Sequence, residues 1–268
     1  MKALIFGDIF GRTGRRMVTE YLPSLKERYT PDFILGNSEN MTGGKGPTAE
    51  HIEVMKELGF DVMTGGNWVF ANHKEDDDFL DRSDAIQIRP ANYFESPFYQ
   101  VPGKGFKIIE KNGFRILVIN LMSSVFLKDQ LDNPFLVVDK LLKEFNNESF
   151  DAVFIDFHRE TTAEMAVMTH FLDGRATVVY GTHTHVQTND ERIFPLGTGM
   201  ITDVGMTGPL DSSIGQTFES RLPQALTGTT LFGPKPEPVI GRGVLTALYV
   251  EIDNKKCVSL EKIRIEEK

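Results

Sequence analysis

The sequence predicts an α/β fold of two packed β-sheets flanked by helices. Three observations carry the prediction. In the first part of the chain, apolar strand-like runs alternate with helix-periodic segments, the pattern of parallel βαβ units. Beyond His185 the helical signal disappears, and strand-like segments lie among glycine-rich loops, which predicts an antiparallel portion. Several apolar runs also end in a carboxylate, carboxamide or imidazole. Such ends describe one edge of an open α/β sheet, where ligands bind outside the carboxyl ends of the strands.

Residues 2–7 read as a buried strand and 15–29 as a helix with an apolar face. Residues 32–36 are strand-like, and 48–58 helical with Thr48 as N-cap. Gly59 closes that helix, and 60–64 form a third strand. Between 71 and 105 the pattern weakens; Asp76-Asp77-Asp78 and several prolines predict surface loops. Residues 115–120 are a strong strand, and 134–145 a helix with Pro134 in its first turn. Strand 151–157, helix 162–172 and strand 175–180 follow. Segments 200–204, 243–252 and 258–265 read as the late strands. No internal repeat, linker or low-complexity segment interrupts the chain, so one domain over 1–268 is expected.

Hydrophobic content of 40% and charged content of 25% are those of a globular chain whose core needs no staples. The single cysteine, Cys257, has no partner in the chain, which fits a reducing compartment. The apolar run at 3–6 is stopped by Gly7 and Asp8, too soon for a signal peptide. No stretch approaches the roughly 20 apolar residues of a membrane span. A cytoplasmic location with no membrane partner is therefore expected. The net charge of -9 argues against binding along duplex nucleic acid or an anionic membrane. It does not exclude a small anionic substrate, because divalent metals would reverse the field of a carboxylate-lined site.

The strand ends carry the candidate ligands Asp8, Glu39 with Asn40, Asn67, His158, and His183 with His185. Mixed oxygen and nitrogen donors suit first-row divalent metals. Asp8 reads as a metal-binding acid at a strand tip or as a turn residue at a helix start. Glu39 offers enough lone pairs to bridge two cations, although Asn37-Ser38-Glu39-Asn40 also fits an Asx-rich turn. Asn67 has the same two readings. In Gly181-Thr182-His183-Thr184-His185 the histidines at i and i+2 would project to one side of an extended segment; an exposed turn is the alternative. His158 is a core histidine or a ligand. His51 and His170 fall in helical patterns as surface or packing residues, and His73 stays open as a catalytic acid. Gly11-Arg12-Thr13-Gly14 and Gly43-Gly44-Lys45-Gly46 fail the dinucleotide and P-loop patterns and read as flexible turns. Arg12 is a candidate phosphate contact or a surface ion-pair residue.

Five motifs stand in order along the chain: Gly7-Asp8-Ile9-Phe10-Gly11-Arg12, Asn37-Ser38-Glu39-Asn40, Asp156-Phe157-His158-Arg159-Glu160, Gly181-Thr182-His183-Thr184-His185-Val186-Gln187-Thr188 and Ile201-Thr202-Asp203-Val204-Gly205-Met206-Thr207-Gly208-Pro209. In that order they resemble the calcineurin-like metallophosphoesterases, and closely their YmdB-like bacterial branch. The resemblance covers essentially the whole chain. It implies a four-layer α/β/β/α sandwich with mixed β-sheets and two divalent metal ions, Fe or Mn. It implies Asp8, Glu39, Asn40 and His185 as ligands of one ion. Glu39, Asn67, His158 and His183 would hold the other, with Glu39 bridging. The implied activity is phosphodiester hydrolysis, above all of 2′,3′-cyclic nucleotides, by attack of a metal-bridging hydroxide. The implied partner is thus a small phosphodiester or cyclic nucleotide; a homo-oligomer stays open.

The chain departs from the family at one motif, reading Gly66-Asn67-Trp68 where Gly-Asn-His is usual. An indole donates one hydrogen bond but cannot shuttle a proton. This motivates an alternative of a different class, a metal-stabilised phosphate- or nucleotide-binding regulatory protein with little catalysis. A metal-dependent phosphomonoesterase would keep the same ligands.

Overall fold

Two six-stranded sheets carry the chain, each backed by helices on its outer face. The computed structural model describes residues 1–268 except 75–78, 95, 128, 230 and 232. The predicted Asp76-Asp77-Asp78 loop therefore lies outside the described residues. In order, the elements are β1 Lys2–Ile9, α1 Gly11–Tyr29, β2 Phe33–Asn37, α2 Ala49–Glu57, β3 Val62–Thr64, β4 Phe106–Lys111, β5 Phe114–Met122 and α3 Pro134–Glu144. Then follow β6 Ala152–His158, α4 Thr162–Leu172, β7 Val178–Thr182, β8 Arg192–Ile193, β9 Gly199–Ile201, β10 Met206–Pro209, α5 Phe218–Thr227, β11 Gly243–Asp253 and β12 Lys256–Glu266.

The first sheet has the order β12-β11-β10-β1-β2-β3. Its β1, β2 and β3 are parallel, whereas β11 runs antiparallel to β1, β10 and β12. The second has the order β4-β5-β6-β7-β9-β8, parallel from β5 to β9 with an antiparallel strand at each edge. Strand alternation sorts the core into layers. On β1, Leu4 and Phe6 pack with Met17, Val18 and Leu22 of α1. Ala3 and Ile5 face the other way and meet Val118, Phe154, Val178 and Tyr180 of the second sheet. From that sheet Leu117, Ile155 and Val179 turn outward onto Val138 of α3 and Met165 and Met168 of α4. The result is the four-layer α/β/β/α sandwich with mixed sheets.

The structure differs from the sequence reading in several places. The ligand-bearing strands do not form one sheet edge. β1, β2 and β3 belong to the first sheet and β6 and β7 to the second, so their carboxyl ends meet between two sheets. Gly11-Arg12-Thr13-Gly14 is the first turn of α1, not a flexible loop. It lies close to β10: a Cβ on Gly14 would stand 2.3 Å from the Thr207 carbonyl oxygen. The irregular segment before β4 is not all surface, since Phe79, Leu80, Ile86, Ile88 and Asn92 are buried. Part of it hydrogen-bonds along β3 through Met63 N–H to Ile86 O and Ile88 N–H to Met63 O, both 2.8 Å.

Four elements were not foreseen. β4 is a half-exposed edge strand with mixed charged and apolar residues, β8 has two residues, and β10 follows a break in the expected strand 200–204. Helix α5 contradicts the expected loss of helix after His185. It contains Pro223, buries only Ser220 among its described residues, and exposes Phe218, Leu222 and Leu226, so no core-facing stripe announces it. Among the described residues no helix is long and apolar enough to cross a membrane.

Two glycines let the sheet ends close. A Cβ on Gly7 would lie 1.9 Å from the Gly205 carbonyl oxygen, and one on Gly181 1.9 Å from that of Thr202. Both opposing atoms are backbone and cannot swing aside. Gly181→Ala should therefore destabilise the fold by about 1–3 kcal/mol, the usual cost of overpacking. A urea midpoint equal to that of the unaltered chain would show that this approach constrains nothing.

Candidate functional site

Where the sheets meet, the carboxylic acids Asp8 and Glu39 are buried. Asp8 stands near the end of β1, beyond the register shift that Gly7 introduces against β2. It is fully buried; its Oδ2 accepts the His183 N–H at 3.0 Å, and its Oδ1 has no hydrogen-bond partner. Burial raises its pKa to about 7. Glu39 follows β2 in a turn closed by Asn37 Oδ1, which accepts the Glu39 N–H at 2.8 Å. The Asx turn and the candidate ligand are thus the same feature. Glu39 Oε1 accepts the Trp68 N–H at 2.6 Å, while Oε2 has no partner. Burial pushes this carboxyl well above its ordinary range.

Three imidazoles approach these acids, each with one ring nitrogen engaged behind it. His158 Nδ1 lies 2.9 Å from Thr182 Oγ1, whose hydroxyl donates to Asp156 Oδ1 at 2.8 Å. A hydroxyl has one proton, so hydrogen-bond geometry assigns the imidazole proton to Nδ1 and leaves Nε2 bare. Asp156, which burial raises to about 7, is also held by Asn37 Nδ2 at 3.0 Å and by the Thr64 hydroxyl. His185 Nδ1 donates to the Ile214 carbonyl at 2.9 Å, which turns its Nε2 toward Asn40 Oδ1 at 3.0 Å and Asp8 Oδ1 at 3.8 Å. His183 Nε2 lies 3.0 Å from Glu160 Oε2, and its Nδ1 lies 3.1 Å from His158 Nε2. Burial lowers the pKa of all three rings and favours their neutral forms.

His183 and His185 are not on an extended segment, as the sequence reading had it. β7 ends at Thr182, and the two histidines have φ of +103° and +66°. Their backbone turns because Asp8 holds the His183 N–H and Asp203 Oδ2 holds the Thr184 N–H at 3.0 Å. The rings accordingly go to different places. His185 joins Asp8 and Asn40, whereas His183 joins His158, Asn67 and Glu39. Asn67 lies between His158 and Glu39. With its carboxamide oriented by hydrogen bonding alone, its NH₂ donates to His158 Nε2 (3.3 Å) and Glu39 Oε1 (3.2 Å), and its oxygen accepts from Trp68 Nε1 (2.9 Å). Turned over, its oxygen joins the acceptors already pointing inward. Among the described residues no three His, Cys, Asp or Glu side chains form a metal-holding group by themselves; both clusters include a carboxamide.

A cleft of about 300 Å³ opens over these residues, lined also by Lys45, Trp68, Glu160, Gln216 and Arg221. Neither Arg12 nor His73 lines it. Arg12 is exposed on the first turn of α1, and His73 stacks edge-on to Phe70 and Phe79 at 6.5 and 6.0 Å. His51 bonds Thr42 Oγ1 at 2.8 Å and His170 is exposed on α4, as their helical patterns suggested. The sequence reading missed the supporting groups Asp156, Thr182 and Glu160 and the cleft cations Lys45 and Arg221. Asp156 was signalled by its i, i+2 relation to His158 on one strand face. Arg221 gave no signal because its helix was not recognised.

A family model described as YmdB-like protein matches residues 4–263. The chain belongs to the YmdB-like protein family. Its sequence is 41% identical to a 2′,3′-cyclic-nucleotide 2′-phosphodiesterase of Bacillus subtilis, over 99% of this chain and 97% of that protein. Its structure is similar to a crystal structure of a hypothetical protein from Thermus thermophilus, with TM-score 0.89, 36% identity and 100% of both chains covered. It is equally similar to a Mycoplasma pneumoniae protein described as a novel phosphatase, with TM-score 0.89, 33% identity, and 99% and 93% coverage. A Staphylococcus aureus protein described as a 5′-nucleotidase, at TM-score 0.60 and 12% identity, shares the fold alone.

The raised Asp8 pKa has a consequence for stability. The folded carboxyl keeps its proton to about pH 7, whereas in the unfolded chain it ionises near 3.8. Its contribution is present below the lower value and is lost as pH rises through the upper one. In chelator-treated protein, Asp8→Asn should therefore gain about 2–4 kcal/mol on the unaltered chain between pH 4 and pH 7.5. Denaturant titrations at the two pH values measure this difference; a constant difference would remove the shift.

Proposed function

We propose that this chain is a divalent-metal-dependent phosphodiesterase acting on 2′,3′-cyclic nucleotides or related small phosphodiesters. The observation that carries the reading is the convergence of unpartnered Asp8 Oδ1 and Glu39 Oε2 with imidazole nitrogens whose opposite ring nitrogens are engaged. Metal-binding histidines are held from behind in this way. The function named for the Bacillus subtilis relative supports the substrate class.

The donor set fits two divalent ions, Fe or Mn. Asp8, Asn40 and His185 would hold one, and Asn67, His158 and His183 the other, with Glu39 shared. When bound, such ions supply positive charge to the phosphoryl group and make water a stronger acid. The chain's own groups prepare that chemistry. Asp156 and Thr182 fix the His158 tautomer, Ile214 O fixes that of His185, and Glu160 orients His183. Burial keeps the rings neutral and thus able to donate lone pairs. His73 is not assigned a proton, because it does not line the cleft.

The regulatory binding protein remains the second reading, favoured by one observation: an indole occupies the cleft wall at position 68. Chelator-treated protein, reconstituted with Mn²⁺ or Fe²⁺ and given 2′,3′-cyclic AMP, distinguishes the two. Turnover to a phosphomonoester is expected, with a loss of at least ~10²-fold in Glu39→Ala. Little change is expected in His73→Ala. Metal-dependent nucleotide binding without turnover would favour the second reading.

A further inference from the structure

Lys45 has an unusual setting for a surface cation in an acidic chain. It is exposed at the cleft, and its Nζ sits 4.6 Å from the centroid of the Trp68 ring. Among the described residues it makes no ion pair. Arg221, on the same cleft, already donates to Gln224 Oε1 at 3.1 Å.

The loop that carries Lys45 is tied to the buried donors. Gly46 N–H donates to Glu39 O at 2.6 Å, and Asn40 Nδ2 to Gly44 O at 3.0 Å. Lys45 N–H donates to Thr42 O at 3.0 Å, and Asn72 Nδ2 to Lys45 O at 2.8 Å. Gly44 has φ +84°, and a Cβ there would lie 2.8 Å from the Phe10 ring, so the loop packs tightly where it turns. Trp68 is fixed from the same side: its backbone N–H donates to Glu39 Oε1 at 2.6 Å. The residue that seats Lys45 is thus tied to the donor cluster through Glu39.

We propose that Lys45 is a catalytic residue that faces the oxygen expelled from phosphorus, and that Trp68 is the positioning residue that seats it. The inference rests on the phosphodiesterase reading. In the reaction, a water oxygen forms a bond to phosphorus and gives up a proton to solvent. The bond from phosphorus to the ribose oxygen breaks, and its electron pair stays on that oxygen, which then takes a proton from solvent. Lys45 keeps its proton throughout. Its ammonium has three donors and no acceptor, and it stabilises the charge that develops on the departing oxygen. A basic leaving oxygen develops more of that charge than an acidic phenol does, so Lys45 matters most for alkoxide expulsion.

The test compares kcat for 2′,3′-cyclic AMP, which expels an alkoxide, with kcat for bis(p-nitrophenyl) phosphate, which expels a weakly basic phenolate. Lys45→Met should lower the first by about 10–10²-fold and the second by less than about 3-fold. Lys45→Arg should recover most of the loss. Trp68→Leu should change the same ratio in the same direction, with kcat falling more than KM rises. Equal losses on the two substrates, or no loss on the cyclic nucleotide, would overturn the assignment. If the unaltered chain cleaves neither substrate after metal reconstitution, the phosphodiesterase reading itself fails. If it cleaves both and Lys45→Met leaves their ratio unchanged, only the role of Lys45 fails.

Discussion

The structure depends on the burial of two carboxylic acids that keep one oxygen each without a partner. An ionised carboxylate in such a place needs opposite charge or a proton, because burial removes its hydration. Burial raises the pKa of both Asp8 and Glu39, so a proton is one solution. Everything nearby is consistent with a second solution, in which cations stand between the acids and the imidazoles. Glycines let β1 approach the Gly205 backbone and β7 the Thr202 backbone, backbone N–H groups hold one oxygen of each acid, and neutral imidazoles present bare nitrogens. Protonation and metal binding therefore compete for the same oxygens, and metal affinity should fall as pH is lowered.

The two-sheet architecture is what makes this concentration of donors achievable. A single sheet edge would spread Asp8, Glu39, His158 and His183 along a line of strands. Facing sheets bring β1 and β2 opposite β6 and β7, so the residues at their carboxyl ends converge. The core between the sheets also supplies Asp156 and Tyr180, which are fully buried beneath the site. Asp156 illustrates the coupling of fold and site. It accepts bonds from Asn37 and Thr64 of the first sheet and from Thr182 of the second, and through Thr182 it orients His158.

Much of this was legible in the sequence. The strands that carry Asp8 and His158 and the one that leads to His183 are apolar runs buried on both faces, and such runs stand out in any chain. Thr48 and Pro134 marked helix starts that the structure retains. The donors were legible because each stands at or shortly beyond the end of a strand. What escaped has a physical pattern. β4 and α5 are half-exposed, so their burial leaves no periodic trace. The turn at His183 and His185 depends on Asp8 and Asp203, residues distant in sequence. The roles of Lys45 and Trp68 likewise arise from a contact between two loops.

The most direct test of the account is the metal stoichiometry of the folded chain. Chelator-treated protein would be dialysed to equilibrium against Mn²⁺ at pH 7.5 and at pH 6, and bound metal counted. The account predicts two ions per chain at pH 7.5 and weaker retention at pH 6, where Asp8 keeps a proton that competes with the metal. A folded chain that retains no Mn²⁺ or Fe²⁺ under these conditions would contradict it.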